Sequence, residues 1–261
     1  MIQPLAYIHP NAKIARGVTV DPFAVIHGDV EIGEGTWIGS NVTIMDGARI
    51  GKNCRIFPGA VIAAIPQDLK FDGEKTTVEI GDNVTIRDCV TINRGTNDRM
   101  TTRVGEHTLI MAYVHLAHDC LVGSHCIIAN AVNMAGHVVV GDHAVIGGMS
   151  AVHQFVHIGA HVMISGGSLV RKDVPPYVKA GREPLSYAGI NSIGLRRRGY
   201  SNEAITAIQD IYRILYVSGL NTTDALARIE AEMPATSERD EIILFIQNAK
   251  RGIMRGYGKD A

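Results

Sequence analysis

Apolar residues recur along the first two-thirds of this chain with a period of six. The frame runs through Ile2, Ile8, Ile14, Val20, Ile26, Ile32, Ile38, Ile44, Ile50, Ile56 and Ile62, resumes at Ile80, Ile86 and Ile92, and resumes again from Val104 to Val170. Of the 29 in-frame positions from 2 to 170, 26 hold Ile, Val, Leu or Met; the exceptions are Asp68, Glu74 and Asp98. A small residue follows each anchor by four positions, as at Ala24, Ala48 and Cys54, and glycine often follows it directly, as at Gly33, Gly51, Gly123 and Gly141. A period of six matches neither a helix nor the simple alternation of a strand. It fits a chain that makes a short strand, turns a corner and repeats. The β-branched anchors suit strands, and glycine suits corners. Three units close a triangular coil, so that residues eighteen apart stack one rung apart, ~4.8 Å.

On this reading residues 2–176 make nearly ten coils. The interruptions at 63–79 and 93–103 leave the frame as loops, the first replacing three repeat lengths and the second part of two. Loops on a rigid scaffold are common carriers of function. After Val170 the pattern changes. A looping segment is expected to about residue 186, followed by helical periodicity. Ser201 is a candidate N-cap, with Ile205, Ile208, Ile211, Tyr212 and Leu215 on one face and Gly219 as a stop. Thr222–Met233 and Ser237 to about Ile253 read as further helices. The predicted architecture is an all-β parallel β-helix over 1–186 with a C-terminal α-helical domain over 187–261.

Composition narrows the function classes. A net charge of −1 and a pI near 6.8 give no global attraction to nucleic acid or to a membrane surface. No apolar run approaches the ~18 residues of a membrane span, and the N-terminus lacks the pattern of a signal peptide. The four cysteines lack CxxC spacing, and Cys54, Cys120 and Cys126 fall in the small-residue slot of the repeat, as expected of buried thiols in a reducing compartment.

Position modulo eighteen gives the azimuth around the prism. His115, His118, Asp119, His137, His153 and Gln154 converge on one edge from three successive coils, which makes that edge the candidate site. A second set, His107, His125, His143 and His161, recurs at intervals of eighteen and should form a ladder on another edge, read either as a solvated stack or as a metal-binding array. Leu109, Ile127, Val145 and Met163 form an outward apolar strip that calls for cover, either a neighbouring subunit or a hydrocarbon ligand. A histidine backed by a carboxylate suits a general base acting on a hydroxyl. Gly136 could offer a backbone N–H to a developing oxyanion. Together these suit direct acyl transfer from a thioester to an alcohol.

The motifs His115-Leu-Ala-His-Asp-Cys, Asn133-Met-Ala-Gly-His, Ala151-Val-His-Gln-Phe, Gln67-Asp-Leu-Lys and Gly194-Leu-Arg-Arg-Arg-Gly, in that fold, resemble the UDP-N-acetylglucosamine O-acyltransferases of lipid A biosynthesis. That resemblance gives the β-helix its left hand, against the usual crossover rule. It implies His118 as the base that deprotonates the glucosamine 3-hydroxyl, Asp119 as its orienting partner and Gly136 N–H as the oxyanion donor. Lys70, His115, His137, His153 and Gln154 would bind the nucleotide sugar or the acyl group, and Asn191, Arg197 and Arg198 the nucleotide end. Gly166 would leave room for a longer acyl chain. The donor would be a 3-hydroxyacyl form of acyl carrier protein, and the enzyme a cytoplasmic homotrimer with sites between subunits and neither cofactor nor metal. Ile193 stands where this family often has a carboxylate, and the loop at Arg182-Glu-Pro-Leu differs from its usual forms. The rival reading is a zinc lyase on the same scaffold with His115, His118 and His137 as ligands. A non-catalytic scaffold is a third.

Overall fold

The computed structural model describes residues 1–256; the last five residues of the expected helical domain, 257–261, lie outside the described residues. Most of the chain is a prism of very short strands, commonly two residues each, in three sheets of nine, eight and ten strands. Nearly every strand holds one outward residue and one buried anchor, the burial expected of period-two geometry with a core on one side only. Pairing is parallel throughout the coils. Leu109, Ile127, Val145 and Met163 stack in one sheet, and His115, Asn133, Ala151 and Leu169 in another. The fold is a left-handed parallel β-helix. Its core is a continuous column in which the anchors Ile26, Ile38, Ile56, Ile86, Ile110, Leu116, Ile128 and Ile164 are fully buried. Each is stabilised by about 1.5–3 kcal/mol relative to exposure.

The loops correct the sequence reading in one respect. Ile80 pairs with Ile50, thirty residues back rather than eighteen, and Val104 with Ile80, twenty-four back. The first loop therefore places twelve residues outside the prism and the second six. Together they remove one whole coil, so the prism is about one coil shorter than expected. Azimuth counted from the chain number is right before Ile62 and after Val104, and is wrong by twelve between them. Thr85, for instance, sits between Arg55 and Leu109 on the face that carries the apolar strip.

Glycine also plays a different part from the one expected. The corner conformation with positive φ is held mostly by other residues, among them Asn53, His125, Asp119 and His137. Gly33, Gly105 and Gly141, directly after their anchors, are needed for close approach instead. A Cβ at Gly141 would stand 2.5 Å from the backbone nitrogen of Ala160 one coil on, and one at Gly33 would stand 2.5 Å from the carbonyl carbon of Gly51.

Past Val170 the chain does not simply loop. Strands Val178–Gly181 and Ser186–Ile190 form an antiparallel hairpin that extends one sheet of the prism. Among the described residues four helices follow: α1 (Ser192–Arg197), α2 (Asn202–Val217), α3 (Thr222–Glu232) and α4 (Ser237–Gln247). Helix α2 has the expected cap, Ser201 accepting from the N–H of Ala204, and the expected buried face. Helix α4 stops short of Ile253, which instead bridges back to Asp173 on the prism. Tyr212, fully buried, donates to the carbonyl of Pro176 at 2.6 Å and fastens α2 to the end of the β-helix. Among the described residues no helix is long and apolar enough to cross a membrane.

Candidate active site

One corner of the prism carries Asp119, His137 and Phe155 on successive coils, all with φ near +60°. The side chains of Asp119 and His137 meet the second loop there, at Thr96 and Asp98. Asp119 is fully buried and His118 almost so. The His118 Nδ1 lies 2.9 Å from Asp119 Oδ2. Because the carboxylate only accepts, the proton sits on Nδ1 and the lone pair on Nε2. Thr96 completes the pairing, its N–H reaching Oδ1 at 3.0 Å and its hydroxyl reaching Oδ2 at 2.6 Å. Burial opposes ionisation of Asp119, but these donors, with His118 and the charge of His137, outweigh it and hold the carboxyl below its usual range. Arg99 donates to the Asp119 carbonyl at 2.9 Å.

Gly136 lies against the His118 ring, and a Cβ there would stand 2.6 Å from both Cε1 and Nε2. Among the described residues its N–H meets no acceptor within the chain. His137 stands edge-on to His118 with centroids 5.0 Å apart, and Phe155 stacks on its far side at 4.5 Å. Its Nδ1 is 3.1 Å from Asp98 and its Nε2 is 3.8 Å from Asp119. Burial lowers the pKa of His137, partly offset by the Asp119 and Asp98 charges. His118 Nε2 faces Asp68 across 3.9 Å. A cleft of about 540 Å³ opens here, lined among others by Asp68, Lys70, Thr96, Asp98, His137 and Gln154.

The remaining candidates are distributed elsewhere. His115 lies on the outer face of its sheet with Nδ1 2.8 Å from the Thr91 hydroxyl, and burial lowers its pKa. His153 is exposed and its Nδ1 lies 3.1 Å from the carbonyl of Gln154. Asn191, Arg197 and Arg198 line a separate cleft of about 530 Å³, which includes Ile127, Val145 and Met163 of the apolar strip and also Ile193. Asn191 caps α1 there, its Oδ1 accepting from Gly194 and its Nδ2 donating to the His161 carbonyl. Arg198 donates to the His143 carbonyl, while Arg197 is exposed. Gly166 sits at yet another corner, where a Cβ would meet the Gly148 carbonyl oxygen at 3.1 Å. A single chain thus does not bring the two groups of residues into one cleft.

The histidine ladder is present as stacked rings. His107, His125, His143 and His161 lie 4.8–4.9 Å apart, and Tyr177 continues the column. Cys54, Cys120 and Cys126 are buried as expected, and burial pushes the thiols of Cys120 and Cys126 up to about 12. Ligand atoms of His118, Asp119 and His137 do converge within 4.8 Å, and His115 is not part of that group. Both Asp119 oxygens already accept hydrogen bonds from Thr96 and His118, so a cation there would have to displace them.

Thr96, Asp98, Arg99 and Asp68 escaped the sequence reading as site residues, since no spacing rule places a loop over a corner. A signal did exist. Asp68, Glu74 and Asp98, the three polar residues that break the sixfold frame, all line the cleft.

Comparison with known proteins gives one answer. Residues 173–254 match the family model described as UDP N-acetylglucosamine O-acyltransferase, domain 2, and residues 29–64 and 101–136 match the bacterial transferase hexapeptide model. The acyl-[acyl-carrier-protein]–UDP-N-acetylglucosamine O-acyltransferase of Chlorobium phaeobacteroides is 53% identical over 252 residues, covering 96% of either chain. That of Sulfurihydrogenibium sp. is 51% identical, over 97% of this chain and 93% of its own. The crystal structure of a UDP-N-acetylglucosamine acyltransferase from Bacteroides fragilis superposes with a TM-score of 0.96 at 55% identity, covering 98% of this chain and all of that one. The chain belongs to the acyl-[acyl-carrier-protein]–UDP-N-acetylglucosamine O-acyltransferase family and is an acyltransferase.

Proposed function

We propose that this enzyme transfers a 3-hydroxyacyl chain from acyl carrier protein to the 3-hydroxyl of UDP-N-acetylglucosamine, the first step of lipid A biosynthesis, with His118 as the general base. The observation that carries this reading is the buried His118–Asp119 pair, fixed by Thr96 so that the lone pair of Nε2 is directed toward Asp68, a residue of the cleft wall. His118 Nε2 takes the hydroxyl proton as the sugar oxygen attacks the thioester carbonyl. The oxyanion that forms is held by the N–H of Gly136, which has no other acceptor among the described residues. Collapse of the intermediate breaks the C–S bond, and the imidazolium returns its proton to the departing thiolate. The products are the ester and free acyl carrier protein thiol.

Lys70, His137 and Gln154 in the cleft, with His115 and His153 beside it, bind the sugar and the acyl group. Asn191, Arg197 and Arg198 receive the nucleotide end, Asn191 through its backbone or after release of its cap. These residues line a different cleft of the same chain, so the complete site requires a neighbouring subunit. The reading is therefore a cytoplasmic homotrimer whose apolar strip is covered by the next copy and by the acyl chain. Gly166 sets the room for that chain.

In an assay with 3-hydroxyacyl acyl carrier proteins and UDP-N-acetylglucosamine, His118→Ala is expected to lower kcat by about 10²–10⁴-fold, with mass spectrometry identifying the acylated sugar. Unchanged turnover, or no acylated UDP-sugar from the native enzyme, refutes the reading. The convergence of His118, Asp119 and His137 supports a second reading, a zinc site. Stoichiometric zinc that is lost in His118→Ala would favour it instead.

A further inference from the structure

Two imidazoles face a single carboxylate oxygen. Asp119 Oδ2 lies 2.9 Å from His118 Nδ1 and 3.8 Å from His137 Nε2. Were the His137 proton on Nε2, it would be drawn to the same oxygen and would compete with His118 for it. Two features limit what His137 can do. Phe155 lies nearly parallel to it, with 16° between the rings, so the ring plane is held against a wall. On its other edge, Asp98 presents Oδ2 to Nδ1 at 3.1 Å. The main freedom left to a neutral His137 is which nitrogen carries the proton.

We infer that Asp98 is a positioning residue that reserves Asp119 for His118. By accepting the Nδ1–H of His137, it holds that ring in the tautomer with a bare Nε2. The inference rests on the reading of His118 as the base. A carboxylate that accepts from an imidazole N–H fixes the tautomer and leaves the opposite nitrogen as an acceptor. The same loop braces both pairs. Thr96 hydroxyl donates to Asp119 and accepts from the N–H of Asp98 at 3.4 Å, and Arg99 holds the Asp119 carbonyl. This loop therefore supplies one partner to Asp119, which holds His118, and one to His137. The bare Nε2 of His137 is left to accept a hydrogen bond from substrate at the cleft wall. The Asp98 side chain is 68% exposed, so its removal leaves no buried charge unpaired and should not unfold the enzyme.

The test is ¹⁵N NMR of the whole enzyme labelled in histidine, paired with steady-state kinetics on Asp98→Ala and Asp98→Asn. The native enzyme should show a protonated Nδ1 and a bare Nε2 at His137. In Asp98→Ala the proton should move to Nε2 and kcat should fall about tenfold, in the range typical of lost outer partners of a functional histidine. Asp98→Asn keeps an amide oxygen opposite Nδ1 and should retain both the tautomer and the rate. A protonated Nε2 in the native enzyme overturns the inference, and so does an unchanged tautomer or kcat in Asp98→Ala. The base reading fails separately, through undiminished turnover of His118→Ala.

Discussion

A methyl group at Gly136 would stand 2.6 Å from two atoms of the His118 imidazole, where ordinary contact needs well over 3 Å. The His118 ring cannot retreat without losing Asp119, which is locked by Thr96. Gly136→Ala should therefore misplace the base rather than unfold the chain. The expected loss in kcat is about 10²-fold, the cost of misplacing a reacting group by ~1 Å, with the melting temperature near the native value. A native rate in Gly136→Ala would show that the ring has slack. The motif Asn133-Met-Ala-Gly-His drew attention to Gly136 as a donor, but the crowding was not legible in it. A contact between residues eighteen apart depends on how the two coils lie over each other, which no single coil records.

Among elements, the six-residue repeat was the most legible feature and the loops the least. The anchors follow from burial alone, because a two-residue strand on a three-sided prism leaves one side chain inside and one outside. Glycine was read in the wrong role, as a corner former. Its need at Gly141 comes from the next coil, where a Cβ would meet the Ala160 backbone nitrogen at 2.5 Å and the Gly159 carbonyl carbon at 2.9 Å. Gly141→Ala should accordingly destabilise by about 1–3 kcal/mol, read as a lower midpoint in denaturant with an unchanged slope. Replacing His125, at positive φ, by Asn should be tolerated, and failure of that contrast would show that the corner and not the rung is the tight place. The hairpin at 178–190 was missed because its second strand, Ser186-Tyr-Ala-Gly-Ile, carries too few alternating residues to announce itself. Its partner Val178–Gly181 forms by continuing an existing sheet.

For the whole molecule, the histidine ladder links the prism to the helices. His161 stacks on His143 and Tyr177, and its Nε2 lies 3.3 Å from the Tyr200 hydroxyl. Tyr177 in turn donates to Glu241 on α4. Burial, then the neighbouring His143 and Arg198, push His161 down to about 4, with Asp142 opposing. The unfolded chain binds that proton near pH 6.5, so stability is fully present above about 6.5 and falls as pH drops toward 4. The melting temperature should decline over that window, and His161→Asn should flatten the decline. An identical slope in the variant would remove the ladder from the acid response. Assembly offers another check. If sites form between subunits, mixing inactive His118→Ala with inactive Arg197→Ala should restore activity, because a mixed trimer retains one intact site. Failure to complement, with exchange of subunits verified by mass, would place each site within one chain.

The sequence by itself determined the coil, its anchors, the corner where His118, Asp119 and His137 meet and the family motifs, because each rests on periodicity or on residues close in the chain. Tertiary structure alone decided the number of coils, since only strand pairing reveals that the loops hold eighteen residues outside the prism. It also decided that Thr96 and Asp98 close over the histidines, and that Asn191, Arg197 and Arg198 lie in another cleft. Both are consequences of where loops and helices pack against the rod, a matter of long-range contact that no repeat period encodes.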